Sequence, residues 1–494
     1  MRRRLSYLVP VLGYLGGLFW IFGFVLLIPL IVLALDKRAG QEEVSPLCFL
    51  VPAAIAWGLG VVLKGWKGFG TLDSRGGMLV CALGWICISL VGALPLKMGL
   101  GVKYLDAYFE AVSGFTTTGI TMLQGLDVMP RSVIFWRALM QWFGGLGILT
   151  FFLVVAFSGG TAHQLFSAES HKIFSKRPAP GIFHTLRILW FIYAGFTALI
   201  VGLLVLEGVS VYDAVAHSFA TLSTGGYSPY DASIDYYRQA GYRNFALIEY
   251  TITFGMMLGG INFFIHYRVL RGGLKALWDN LEIRLFWGIV SGSFILVIVN
   301  HWMKFGFGQV EETVRYTIFQ VMALLTTTGF GTKDIGAAYF PALAKLIFLV
   351  LMVIGGCVGS TGGGFKVLRI GILFKMVRRQ LNRIINGPAS VNPVVVDGET
   401  VEAEEVRRIA GIFFAWMVLI VIGGGITALL SDYGVLESTS GMFSALGNIG
   451  PAYIPAAEMP NLHPLIKITY IVGMLAGRLE IIPIIMLFDR RAWR

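Results

Sequence analysis

Charge is what this chain has least of. Only 14% of its 494 residues are charged, where a soluble domain carries about a quarter. So little charge cannot cover a large water-facing surface, which excludes an ordinary soluble globular protein. Cysteine is scarce as well: Cys48, Cys81, Cys87 and Cys357 are the four present. None stands at a paired metal-ligand spacing, and all lie in or beside apolar stretches, so they read as free buried thiols. The seven histidines are scattered, without an HExxH or similar pair. Walker A is missing, as is a GxGxxG between a strand and a helix, so nucleotide control would need a separate subunit. The apolar runs offer no convincing pair of aspartates, or of serine and histidine, which counts against a membrane-embedded enzyme such as an intramembrane protease.

What is plentiful is apolar. Hydrophobic residues make up 56% of the chain and mean hydropathy is +0.74. Runs of about 20 apolar residues, the length that crosses a bilayer, recur throughout. About ten spans are expected, at 6–35, 46–64, 77–96, 132–158, 186–206, 244–267, 284–303, 340–374, 409–430 and 464–488. The first follows Met1-Arg2-Arg3-Arg4 without a small-residue cleavage signature and is expected to be retained.

The net charge of +11 is distributed on alternate connections. Its clusters are Arg2 to Arg4, Lys64/Lys67/Arg75, Lys172/Lys176/Arg177, Arg268/Arg271/Lys275, Arg378/Arg379/Arg383 with Arg407/Arg408, and Arg490/Arg491/Arg494. The positive-inside rule makes these connections, and both termini, cytoplasmic. The basic balance therefore records topology and gives no case for a nucleic-acid partner.

One short pattern comes round four times, each time after an apolar segment of helical character. It reads Phe115-Thr116-Thr117-Thr118-Gly119-Ile120, Leu222-Ser223-Thr224-Gly225-Gly226-Tyr227, Leu325-Thr326-Thr327-Thr328-Gly329-Phe330 and, more weakly, Leu446-Gly447-Asn448-Ile449-Gly450-Pro451. The aligned glycines are 107, 103 and 121 residues apart. All four loops fall on the side opposite the basic clusters. Residues 77–488 thus divide into four units of span, short segment, Gly/Thr loop, span. The short segments Tyr104–Phe115, Tyr212–Leu222, Val314–Leu325 and Val435–Leu446 are too short to cross a bilayer and suit re-entrant half-helices. Thirteen places before the glycines stand Asp106, Asp213 and Glu437, with Tyr316 in the third unit. Acidic side chains there favour the positive end of a half-helix dipole.

Residues 1–70 form an added N-terminal pair of helices, followed by units at 71–165, 166–278, 279–390 and 391–494. The one sizeable soluble excursion, 386–405, contains Val394 to Val401, a small hairpin with an Asp397-Gly398 turn. The fold class is an all-α membrane protein.

Non-helical backbone at membrane depth survives only where it lines a cavity or is buried in protein. Four such loops around one axis would offer rings of carbonyl oxygens to a dehydrating cation. Glycine gives the backbone freedom to turn successive carbonyls inward, and oxygen-only ligation suits hard cations. A single Gly/Thr cluster is commonly just helix packing; four in register on one face are not. A transporter of rocking repeats would place one site between two broken helices, and four equivalent loops fit that poorly.

These loops make the chain resemble the TrkH-like, ion-conducting subunit of the Trk/Ktr/HKT potassium-transporter superfamily, over essentially its full length and including the two extra N-terminal spans. The resemblance implies one chain folded as a pseudo-tetramer of potassium-channel-like units. Its potassium ligands would be mainly backbone carbonyls of Thr117, Thr118, Gly119, Thr224, Gly225, Gly226, Thr327, Thr328, Gly329, Asn448, Ile449 and Gly450. Members with serine in the first loop tend to favour sodium, so Gly119 implies a potassium preference. The alternative is a less selective sodium/potassium symporter. The fourth loop departs furthest from the Thr-rich pattern, so the symmetry is approximate.

The segment 352–366 holds six glycines within ten residues, Gly355, Gly356, Gly359, Gly362, Gly363 and Gly364, followed by Lys366. Each glycine costs a helix about 1 kcal/mol against alanine, so the segment is a flexible loop or a kinked helix. The resemblance implies an intramembrane gating loop here. Arg478, within the final span, either forms a packing arrangement with Glu480 or faces the path below the loops; the resemblance implies the second. Glu110 and His217, at equivalent places in half-helices one and two, either tune the field near the loops, His217 with pH, or serve as hydrogen-bonded spacers behind them, the second reading being favoured. The resemblance further implies potassium as the transported ion without an organic cofactor, a homodimer, a bacterial inner membrane, and a cytosolic nucleotide-binding (RCK-type, TrkA-like) regulatory subunit. The basic segments 172–187 and 378–408 would either dock that subunit or touch anionic membrane lipid.

Overall fold

An apolar chain in hydrocarbon must satisfy its backbone internally, and helices do so. The computed structural model describes residues 2–35, 44–64, 74–157, 182–387 and 392–489. Among them, six helices are long and apolar enough to cross a bilayer: Val9–Leu35, Leu47–Lys64, Arg75–Leu100, His184–Leu206, Leu281–Phe305 and Ala403–Leu429. Strand is confined to Val395–Val396 paired antiparallel with Glu399–Thr400, among the described residues. Asp397 and Gly398 turn between them at φ 47° and 87°, the conformation an Asp-Gly hairpin turn uses. The hairpin docks on the protein through Asp397, whose carboxylate accepts from Leu281 N–H at 2.8 Å.

Each unit runs outer helix, half-helix, loop, inner helix. The outer helices are Ser74–Leu100, Ile182–Leu206, Leu281–Phe305 and Ala403–Leu429. The half-helices are Tyr104–Phe115, Val211–Leu222, Val310–Leu325 and Val435–Gly447. The third starts a full turn earlier than its sequence neighbours predict. Glu311 and Glu312 occupy its first turn, which places the acidic charge there and leaves Tyr316 inside the helix. The second is capped by Ser210, whose hydroxyl accepts from Asp213 N–H at 3.1 Å.

The inner helices begin at Arg131, Phe245, Ala342 and Pro464. Each packs against the half-helix of the following unit, and the fourth packs against the half-helix of the first. Lys467, from that fourth inner helix, pairs with Asp106 at the outer end of half-helix one at 2.5 Å. Helices Arg2–Val25 and Leu47–Lys64 pack on each other and on the outer helix of unit one.

Three of the expected spans are broken, that over 340–374 at the glycine segment where an interruption was expected. The helix expected over 244–267 stops at Gly260 and restarts at Phe263, bent by 104°, because Asn262 recaps it by accepting from Phe264 N–H at 2.8 Å. That over 340–374 stops at Ile354 and resumes at Val367 across the glycine segment. That over 464–488 breaks where Glu480 and Ile481 take φ of 61° and 67°, a left-handed conformation that ends a right-handed helix.

The apolar core falls into two main clusters. One, around Phe109, Trp136, Trp416 and Tyr470, joins units one and four; the other, around Tyr193, Phe286, Phe319 and Phe330, joins units two and three. Expected unit boundaries at 70/71, 165/166 and 390/391 lie outside the described residues, as do Lys67, Lys172, Lys176, Arg177, Arg490, Arg491 and Arg494.

Two ion pairs sit inside this apolar frame, Arg137–Glu110 at 2.8 Å and Arg315–Glu249. Removing one partner of a buried pair strands the other charge. Arg315→Met is therefore expected to destabilise the protein by on the order of 3 kcal/mol, read as a lowered melting temperature in detergent. Glu249→Met in the same chain should restore most of the loss.

Candidate ion-conduction site

The four loops leave their half-helices by one route. Thr117, Thr224, Thr327 and Asn448 take φ of 53°, 53°, 60° and 54°, and the glycines two residues on, Gly119, Gly226, Gly329 and Gly450, take 86°, 76°, 79° and 108°. The residue between turns its N–H back to the carbonyl five residues earlier. These bonds are Thr118 to Ser113 at 2.8 Å, Gly225 to Ala220 at 2.8 Å, Thr328 to Ala323 at 2.8 Å and Ile449 to Ser444 at 3.0 Å. Unpaired backbone groups at this depth would each cost several kcal/mol, so the shared bond is what lets the chain leave the helix there.

The glycines show how the loops meet. A Cβ on Gly119 would strike the Gly225 carbonyl oxygen, one on Gly226 that of Thr328, and one on Gly329 that of Ile449. A Cβ on Gly450 would lie 3.0 Å from the Thr118 carbonyl oxygen, which closes the circuit. The four loops therefore surround one axis in chain order, each glycine facing the carbonyl before the next loop's glycine.

Side chains stiffen this ring. Thr116 Oγ1 donates to Val112 O at 2.7 Å and lies 2.7 Å from Thr118 Oγ1; Thr326, Met322 and Thr328 repeat both contacts at 2.7 Å. In the fourth loop Asn448 Nδ2 donates instead to Thr118 Oγ1 and Met474 O, both at 2.9 Å. Thr117 Oγ1 and Asn448 Oδ1 are buried without a hydrogen-bond partner. Such orphaned oxygens fit a hard cation.

Behind the ring, Glu110 accepts from Arg137 Nε and Met122 N–H, both at 2.8 Å, and from Thr121 Oγ1 at 3.0 Å. His217 bridges Asp213 O at 3.0 Å and Ser228 Oγ at 3.1 Å. Both residues act as braces behind the loops.

Beneath the ring lies the segment 355–366. Thr361 Oγ1 donates to Leu222 O at 2.8 Å and sits 3.3 Å from Thr224 Oγ1, while Gly363 N–H donates to Thr327 Oγ1 at 2.6 Å. A Cβ on Gly363 would lie 2.8 Å from Asn448 Cβ. The segment so touches the inner ends of loops two, three and four. It is tied sideways by Cys357 N–H to Gly260 O at 3.0 Å and by Val358 N–H to Glu282 Oε1 at 2.6 Å. Lys366, at φ 85°, donates to Gly362 O within the segment. Arg478 reaches across, donating to Thr361 O at 2.9 Å and to Gly144 O and Gly145 O at 2.8 and 3.0 Å. Glu480 pairs with Arg369, not Arg478.

Sequence reasoning missed how the inner helices reach the ring. A Cβ on Gly144, Gly259 or Gly477 would meet the carbonyl of Phe115, Leu222 or Leu446, the end of each unit's own half-helix. The Gly-Gly pairs at 144/145 and 259/260 carried that signal. Gln141, taken up below, carried none.

Four half-helices closing loops around one axis within a multi-pass apolar bundle define a membrane transport protein. The TrkH family, described as cation transport proteins, matches residues 55–492. The Trk system potassium uptake protein TrkH of Escherichia coli K12 is 33% identical over 97% of this chain and 98% of its own length. That of Halomonas elongata is 31% identical over 98% and 99%. The crystal structure of the potassium transporter TrkH from Vibrio parahaemolyticus superposes with a TM-score of 0.85 at 28% identity, covering all of both chains. The chain belongs to the TrkH family, one of transporters and not of enzymes.

The ring predicts a ranking. Gly329→Ala combines a left-handed φ, costing roughly 1–2 kcal/mol, with a backbone collision at Ile449, and should abolish tracer flux in proteoliposomes. Gly450→Ala, with 3.0 Å to the nearest backbone oxygen, should keep a measurable fraction of it.

Proposed function

We propose that this chain takes up potassium across the bacterial inner membrane through the ring at Gly119, Gly226, Gly329 and Gly450. The observation that carries the proposal is the closed circuit of glycine-to-carbonyl approaches among the four loops. Carbonyls of Thr117, Thr118, Thr224, Gly225, Thr327, Thr328, Asn448 and Ile449, with those of the four glycines, would replace the ion's hydration shell. The half-helix C-termini aim about half a negative charge each at the same region. The relatives' names support potassium as the ion.

The segment 355–366 is the gate, with Arg478 its latch. A guanidinium hydrogen-bonded to Thr361 on one side and Gly144 and Gly145 on the other both pins the segment under the ring and opposes an approaching cation. The basic residues on alternate connections support a cytoplasmic position for both termini. A second copy and a cytosolic nucleotide-binding subunit of the RCK type complete the assembly, docking on the basic cytoplasmic face.

Rubidium uptake into proteoliposomes holding the purified protein tests this. Block by potassium and not sodium is expected, and Gly119→Ser should erode that difference. Equal block by both ions would replace the reading with a sodium/potassium path. Arg478→Met should raise uptake several-fold by unlatching the segment. Silence that persists with the regulatory subunit added would refute a conducting ring.

A further inference from the structure

Around the ring the four units differ at one polar contact. Before its glycine, loop two has Gly225, where loops one and three have Thr118 and Thr328. The space for a side chain at 225 is occupied by the amide of Gln141, whose Oε1 and Nε2 lie 2.5 and 2.8 Å from that Cβ position. Gln141 is fully buried and comes from the inner helix of unit one, so one unit reaches into the loop of the next. Its orientation is settled by its neighbours. The N–H of Tyr227 can only donate, and it donates to Gln141 Oε1 at 3.0 Å; Nε2 then donates to the Gly225 carbonyl at 2.6 Å.

That carbonyl belongs to the ring. It faces Gly119 as the carbonyls of Thr328, Ile449 and Thr118 face Gly226, Gly329 and Gly450. Among the described residues no donor reaches those other three carbonyls. One ring oxygen in four is therefore tethered from behind by a protein donor.

The inner helices make the asymmetry plain. Gly144, Gly259 and Gly477 are equivalent by their approach to the half-helix ends. Three residues before them stand Gln141, Met256 and Met474, and seven before stand Arg137, Ile252 and Tyr470. Only unit one of these carries donors at both places. Arg137 donates to Ser228 O at 3.1 Å, so two residues four apart on one helix hold loop two at Gly225, Tyr227 and Ser228.

We propose that Gln141 is a specificity-determining positioning residue for the ring. A smaller cation needs its oxygens to move inward, and a carbonyl held outward by an amide resists that contraction more than an untethered one. Gln141 thereby penalises sodium relative to potassium at the Gly225 position. This inference rests on the reading of the ring as the ion-selective site.

The test is the ratio of potassium to sodium inhibition constants for rubidium uptake, compared at matched protein folding. Gln141→Met, the residue of the equivalent positions, should lower the preference for potassium about fivefold, the worth of one net hydrogen bond. Gln141→Ala with Gly225→Val refills the space without a donor, so its stability should recover and its ratio stay low. A wild-type ratio retained in Gln141→Met, or restored in the double variant, would overturn the role of Gln141 alone. A wild-type protein without any preference would overturn the ion-selective reading of the ring, and this inference with it.

Discussion

Everything in this molecule turns on where backbone polar groups go when the chain stops being helical far from water. Four times the chain leaves a half-helix at such depth, and four times one N–H returns five residues to a helical carbonyl. That bond commits the following residue to a narrow conformation and leaves carbonyls to face the axis. The glycines then remove the one atom that would keep neighbouring loops apart. The second layer answers the same demand, since Gly144, Gly259 and Gly477 let inner helices come against the half-helix ends. Small residues at membrane-protein contacts are usually explained by helix packing; here they also set the distance between one loop and the next.

How much of this could be read from the chain varies with the range of the interaction. Half-helix one begins and ends where its sequence says, at Tyr104 and Phe115, because its period, its acidic start and its threonines are all local. Half-helix three does not, because Glu311 and Glu312 lie outside the repeat that defined it. The interruption at 355–366 was legible from its glycines. That at Glu480 and Ile481 was not, since neither residue type marks a left-handed turn; Arg369, from the helix that follows the glycine segment, holds Glu480 there by an ion pair. Arg478 drew attention as a charge among apolar residues, yet its partners are carbonyls of units one and three. Gln141 was invisible for the same reason: its bonds reach 84 and 86 residues along the chain, and no local pattern encodes them.

The repeat is thus strict in backbone and loose in side chains. Loops one and three share the same threonine contacts, while loops two and four are each completed by an amide, Gln141 from another unit and Asn448 from their own. A chain that builds four quarters from one polypeptide can vary each separately, which a true tetramer of identical subunits cannot. The segment below the ring uses that freedom. Among the described residues it exists in one unit only, and the arginine that meets it stands where units one and two have the second glycine of a pair, at 145 and 260.

The packing order also bears on biosynthesis. Inner helix four lies against half-helix one, and Lys467 meets Asp106, 361 positions apart in the sequence. Three quarters of the ring can assemble while translation continues, but the last wall arrives with the final helices. Until then the oxygen-lined axis is open sideways and encloses nothing. A ribosome-bound fragment would therefore hold three loops without the fourth wall, and the ring closes only once the helix Pro464–Arg478 has been made.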